Sequence, residues 1–167
     1  MFVSPDDDPR ADGGFENNER AVLVGYLSDR RLTSEMKCAD LDAEGMSQRS
    51  VPPSDLSLLG LLRHLADVER HWFRREMAGL DVADHYGKDD FKGARPDSVL
   101  VAGAWRTWRD EVAFADKLIA ECPDLGARGK KSGAPLREVI VHMIEEYARH
   151  NGHADLLRER IDGRVGQ

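Results

Sequence analysis

Val139–Leu157 reads VIVHMIEEYARHNGHADLL. Steps of four, three, four, three and four residues from Val139 pick out Val139, Met143, Glu146, His150, His153 and Leu157. At about 100° per residue, these positions fall within roughly 40° of one line along a helix. That line is the face a helix normally buries. Its two ends are apolar, and its middle carries a carboxylate and two imidazoles. Three ionisable groups on a core-facing stripe are costly unless something pairs them. A metal ion is the most economical partner for that residue mix.

The chain around this stretch has 167 residues, 41% hydrophobic and 33% charged. That fits one helix-rich globular domain with a real core. The formal net charge of −7 and the lack of a Lys/Arg stripe argue against nucleic acid as a partner. The short run Arg128-Gly129-Lys130-Lys131 reads as a solvated loop. No apolar run reaches the length of a membrane span, and the acidic start MFVSPDDD lacks the order of a secretory signal. Cys38 and Cys122 stand far apart in no metal-ligand spacing. With no signal, they read as free thiols in a reducing cytoplasm.

In chain order, residues 1–14 (with the run PDDDPRADGG) form an arm without hydrophobic period, and the domain spans 15–167. A first helix starts at Asn17 or Asn18, either able to cap it, and runs to about Leu41. Residues 42–55 form a connection broken by Gly45, Ser47, Ser50 and Pro52-Pro53. A second helix opens at Ser54 or Ser57 and runs to about Ala78, with Gly79 as a stop. Residues 80–96 form a long connection with room for a short helical turn. Asp97 or Ser98 caps a third helix, on which Val101, Trp105, Trp108, Val112, Ala115 and Ile119 make a core seam up to Cys122-Pro123. After a Gly/Lys loop, Pro135 opens the fourth helix, which ends in basic residues and Gly163. No strand alternation of useful length appears. The pattern indicates an all-α fold, a four-helix bundle.

Glu146 and His150, four apart, project about one turn from each other on one face. Glu-to-His pairs at this spacing also occur on solvated faces, so it is their place on the apolar seam that points to a metal. A third ligand has to come from another element, because a catalytic zinc-type site takes three protein ligands. By geometry alone His64 ranks first and His142 second. A lone histidine at a helix-core boundary is more often a hydrogen-bonded packing residue than a ligand. His71 lies further round its helix, and His85 is in a loop. His153 suits an outer or entrance role better than ligation. Asp67 or Glu69 could orient a ligand imidazole, with solvent exposure the equal alternative.

Two segments, SLLGLLRHLADVERHWFRREMAGLD (57–81) and EVIVHMIEEYARHNGHADLLRERIDG (138–163), resemble the DinB/YfiT-like metalloprotein superfamily. More narrowly, they resemble its actinobacterial branch related to mycothiol-dependent maleylpyruvate isomerase. The likeness extends with less strength over 18–160. It implies an up-down-down-up four-helix bundle, commonly a homodimer. It also implies a metal held by one histidine of the second helix and two ligands four apart in the fourth. Many members show a pattern close to H-x-x-x-H-x-G-Q there. The matching run here is Glu146-Tyr-Ala-Arg-His150-Asn-Gly152-His153. The resemblance thus assigns His64, Glu146 and His150 as ligands. It places His153 behind the ligands or on the cavity wall, and His142, at the flank of the seam, is read in the same outer role. Glutamate in first place departs from the three-histidine version and is similar to the His/Glu/His version. A carboxylate in the set favours zinc, with nickel, manganese or iron as the other choices.

The resemblance also implies thiol chemistry. Relatives activate a small thiol, mycothiol or bacillithiol, as S-transferases or isomerases acting on an electrophilic substrate. Arg149 is a candidate to receive an acidic cosubstrate at the mouth of the site. The residues do not separate this from a metal-activated hydrolase with water in the open position. They also leave open a non-catalytic, stress-related binding protein.

Overall fold

The computed structural model describes residues 8–10 and 18–165. Apart from residues 8–10, the arm expected over 1–14 lies outside the described residues. The first long helix, α1 (Glu19–Cys38), starts where the Asn18 side chain accepts a hydrogen bond from the Ala21 amide at 2.9 Å. It ends three residues before the expected Leu41, with Asp40 in the left-handed region at φ 60°. The 42–55 stretch is not an unbroken connection. A short helix, α2 (Ala43–Ser47), forms because the Asp42 side chain caps it by accepting from the Gly45 amide at 2.8 Å. Gly45 fits there without breaking so short a turn.

The second long helix, α3, runs as α-helix over Leu58–Glu69 and continues as π-helix over Arg70–Met77. Ser57 caps it at the Gly60 amide, and Gly79 at φ 69° closes it. Its last carbonyls, Glu76 and Met77, accept the Lys131 and Lys130 amides. The backbone of the basic loop is thus engaged, while Arg128, Lys130 and Lys131 are exposed as expected. A side chain at Gly129 would sit 2.7 Å from the Glu76 carbonyl oxygen, so only glycine permits this approach. The third long helix, α4 (Ser98–Glu121), is capped by Asp97. The fourth, α5 (Leu136–Asp162), follows Pro135 and stops at Gly163, φ 78°. Among the described residues no strand forms, and one isolated bridge joins Arg128 to Pro135. Among the same residues no helix is long and apolar enough to cross a membrane.

The core lies where α3 and α5 face each other and the other helices. Leu58, Leu59, Leu136, Val139, Ile140 and Met143 are all completely buried. Burial of each such side chain contributes about 1.5–3 kcal/mol. The neighbours of α5 are fixed by named pairs. Along α1 they follow in the same order: Glu19 with Arg137, Ser34 with Asn151, Lys37 with Asp155. Along α3 they follow in the opposite order: His64 beside His150, Glu69 with Tyr147, Trp72 against His142.

A polar chain crosses this core and joins all four long helices. Arg31 of α1 holds Glu69 of α3 through Nε at 2.7 Å and Nη2 at 2.8 Å. Tyr147 of α5 donates its hydroxyl to Glu69 Oε1 at 2.8 Å. Trp108 of α4 donates its indole N–H to the Tyr147 oxygen at 2.8 Å. Burial disfavours the Arg31 charge, but the Glu69 and Asp116 carboxylates outweigh it and raise the guanidinium's pKa. In the second half of α1 the polar residues Arg31, Thr33, Ser34 and Lys37 are all buried.

The α4 seam packs on the core as expected, with Val101, Trp105 and Val112 partly buried against it. Trp108, Ala115 and Ile119 are buried as expected, and Glu111, which the spacing did not single out, is buried beside them. Burial pushes the Glu111 carboxyl up. Hydrogen bonds from His85, Arg74 and Arg70 outweigh that and hold it below its ordinary value.

Candidate metal centre

His64 stands on the α-helical part of α3, while Glu146 and His150 stand one turn apart on α5. Because these two helices pack against each other, the three side chains converge. One ligand-type atom of each lies within 4.8 Å of the others. The His64 and His150 rings meet edge to face with centroids 4.7 Å apart. His150 Nε2 lies 3.4 Å from Glu146 Oε2.

Each of the three has a further neighbour behind it. His64 Nδ1 lies 3.1 Å from Asp90 Oδ2. His150 Nδ1 lies 3.3 Å from His153 Nδ1. Glu146 Oε1 lies 3.5 Å from His142 Nε2. These contacts occupy the Nδ1 atoms of both imidazoles, and His150 Nε2 faces Glu146.

Electrostatics suit the same use. Burial, followed by the neighbouring His64 and His153, pushes the His150 imidazole down to about 4. At neutral pH it is uncharged and keeps a lone pair, the form in which imidazole binds metals. Two imidazoles and one carboxyl group form a donor set that fits a divalent ion such as zinc.

His64 and Glu146 line a pocket of about 370 Å³ whose wall also includes Trp72, His71, Arg75 and Asp84. Trp72 packs against His142 at 4.6 Å, and Arg75 is paired with Asp84 at 2.7 Å. A larger cleft of about 690 Å³ runs between α1 and α4 and contains none of the three convergent residues. Its arginines are already engaged, Arg20 by the Ile119 and Cys122 carbonyls and Arg31 by Asp116. The smaller pocket is the one with chemistry in it.

Other expectations are corrected by placement. Glu69 does not orient a ligand, being consumed by Arg31 and Tyr147 in the core. Asp67 accepts the backbone amides of His85, Tyr86 and Gly87 instead of a ligand imidazole. Arg149 is exposed and paired with Glu145 on its own helix, so it does not face the pocket. His85 bonds Glu111, away from the centre.

Asp90 is the residue that sequence reasoning missed. It lies in a connection without period, and only the fold of 80–96 over α3 brings it to His64.

The family model described as Mycothiol-S-transferase matches residues 22–163. No match was found among curated proteins or among solved structures.

Proposed function

The chain belongs to the mycothiol-S-transferase family, a DinB-like one, and from that premise we propose a metal-dependent S-transferase that joins mycothiol to an electrophilic substrate. The observation that carries this reading is the convergence of His64, Glu146 and His150 within 4.8 Å beside an open pocket. Those three residues would hold the ion through the two Nε2 atoms and a Glu146 oxygen, with zinc as the first choice. A divalent ion there lowers the proton affinity of a thiol placed against it, giving thiolate at neutral pH.

The chain's own residues supply the rest. His142 and His153 back Glu146 and His150, which limits the directions those donors can take. Trp72 gives the pocket an apolar wall beside the donors. Such a wall keeps water away from one side of the reacting sulfur and leaves room for the electrophile. Neither cysteine is placed for nucleophilic chemistry. Burial pushes the Cys38 thiol up to about 12 and raises Cys122 as well.

The proposal extends to the bundle's order, its state and its place in the cell. An up-down-down-up arrangement is supported by the same-order pairs of α1 with α5 and the opposite-order pairs of α3 with α5. A single domain over 15–167, a homodimer and a cytoplasmic location complete it, and light scattering tests the dimer.

The function is tested by loading the purified full chain with zinc and supplying mycothiol and monochlorobimane. Expected are about one ion per chain, as a single three-residue site implies, and a fluorescent conjugate. Both should be lost in His64→Ala and His150→Ala. Failure of the wild type to take up any divalent ion, or uptake without conjugation, would overturn the reading.

A further inference from the structure

The connection between α3 and α4 does more than join them. Residue 90 sits in it, next to a 3₁₀ turn at Gly87–Asp89. The segment is held to α3 at several points. Asp67 accepts three consecutive backbone amides, from His85 at 2.7 Å, Tyr86 at 2.9 Å and Gly87 at 2.8 Å. The Phe91 ring stacks on His64 with centroids 5.5 Å apart and planes 30° apart. It lies so close to α3 that a side chain at Gly60 would come within 2.7 Å of it.

The Asp90 carboxylate is fixed in turn. One oxygen accepts the Phe91 amide at 2.8 Å, and the other faces His64 Nδ1 at 3.1 Å. Its side chain is 16% exposed, so water competes little for it.

We propose that Asp90 is the positioning residue of the metal centre. By accepting a hydrogen bond from Nδ1–H it fixes the His64 tautomer and turns Nε2 toward Glu146 and His150. The 80–96 connection is then part of the site. The inference rests on the metal reading above, but its geometry is independent of it.

A carboxylate behind a histidine ligand does two things. It selects the nitrogen that stays free, and it makes that nitrogen a better donor. Loss of such a partner typically weakens metal binding about 10–100-fold. The alternative is a structural pair that ties the connection to α3 and leaves affinity unchanged. Asp84 separates the two, because it is a carboxylate on the same pocket that bonds Arg75 rather than a ligand.

The test is zinc affinity of the full chain, measured by competition with a chromophoric chelator, for wild type, Asp90→Ala, Asp90→Asn and Asp84→Asn. Histidine ¹⁵N spectra of the zinc-free proteins run beside it. Expected is a loss of about 10–100-fold in Asp90→Ala, a smaller loss in Asp90→Asn, and little change in Asp84→Asn. The His64 spectrum should move from the Nδ1–H form to a mixed or Nε2–H form in Asp90→Ala while the thermal midpoint changes little. Equal affinities in wild type and both Asp90 variants would overturn the proposal, as would an equal loss in Asp84→Asn. If the wild type takes no zinc, the metal reading falls, and an unchanged His64 tautomer in Asp90→Ala overturns the positioning role separately.

Discussion

Two polar centres lie within one turn of each other on α5, and they are built on opposite principles. In the first, Arg31, Glu69, Tyr147 and Trp108 form a closed chain in which each donor meets an acceptor at 2.7–2.8 Å. In the second, His64, Glu146 and His150 face one another at distances up to 4.8 Å without such bonds closing the gap. The first centre leaves nothing to bind and holds the helices together. In the second, the outer atoms are held while the inner ones face a shared space. Partner satisfaction, rather than the mere presence of buried charge, separates a structural network from a ligand site.

Breaking the closed centre should cost the most stability. Glu69→Ala strands the buried Arg31 guanidinium, with Asp116 left as its ion-pair partner among the described residues, and should lower unfolding free energy by about 3–5 kcal/mol in urea titration. Tyr147→Phe leaves the Trp108 indole N–H without its acceptor and should cost about 1–3 kcal/mol by the same measurement.

The Glu111 cluster at the rim adds a pH-dependent contribution. Its carboxyl is held below the ordinary value of 4.5, so its stabilisation is complete above that pH. It is lost as pH falls from there through the folded-state value. Glu111→Gln should therefore flatten the acid limb of the wild-type profile of thermal midpoint against pH, and an unchanged limb would contradict the assignment.

The open centre should respond in the reverse way. His64→Ala should change the stability of the metal-free protein by less than about 1 kcal/mol, yet abolish the rise in thermal midpoint that zinc gives the wild type. A large loss in the metal-free state would mean that this centre, too, is structural.

What could be read from the chain divides along the range of the interactions. Asn18, Asp97, Pro135 and Gly163 marked helix ends correctly because capping is local chemistry. The apolar ends of the α5 stripe, Val139, Met143 and Leu157, are buried as their spacing requires. Helical phase alone left the third partner of Glu146 and His150 open between His64 and His142, and the resemblance to relatives chose between them. The α2 turn was hidden because Gly45 reads as a breaker when the Asp42 cap is overlooked. Burial of Arg31, Glu69 and Glu111 could not be read, since each depends on partners from distant segments. Asp90 was hidden for the same reason, lying 26 residues from the histidine it meets.

The adjacency of Glu146 and Tyr147 has a consequence for the thermodynamics of loading. Tyr147 is locked into the core chain and pins the rotation and axial position of α5. On the proposed metal reading, Glu146 and His150 are therefore set in place when the chain folds, not when an ion arrives. Little conformational entropy remains to be lost at that moment. Zinc uptake should leave hydrogen exchange along α5 nearly unchanged apart from the overall gain in stability by mass action, and the helix should behave as a rigid jaw rather than one that closes on its ion.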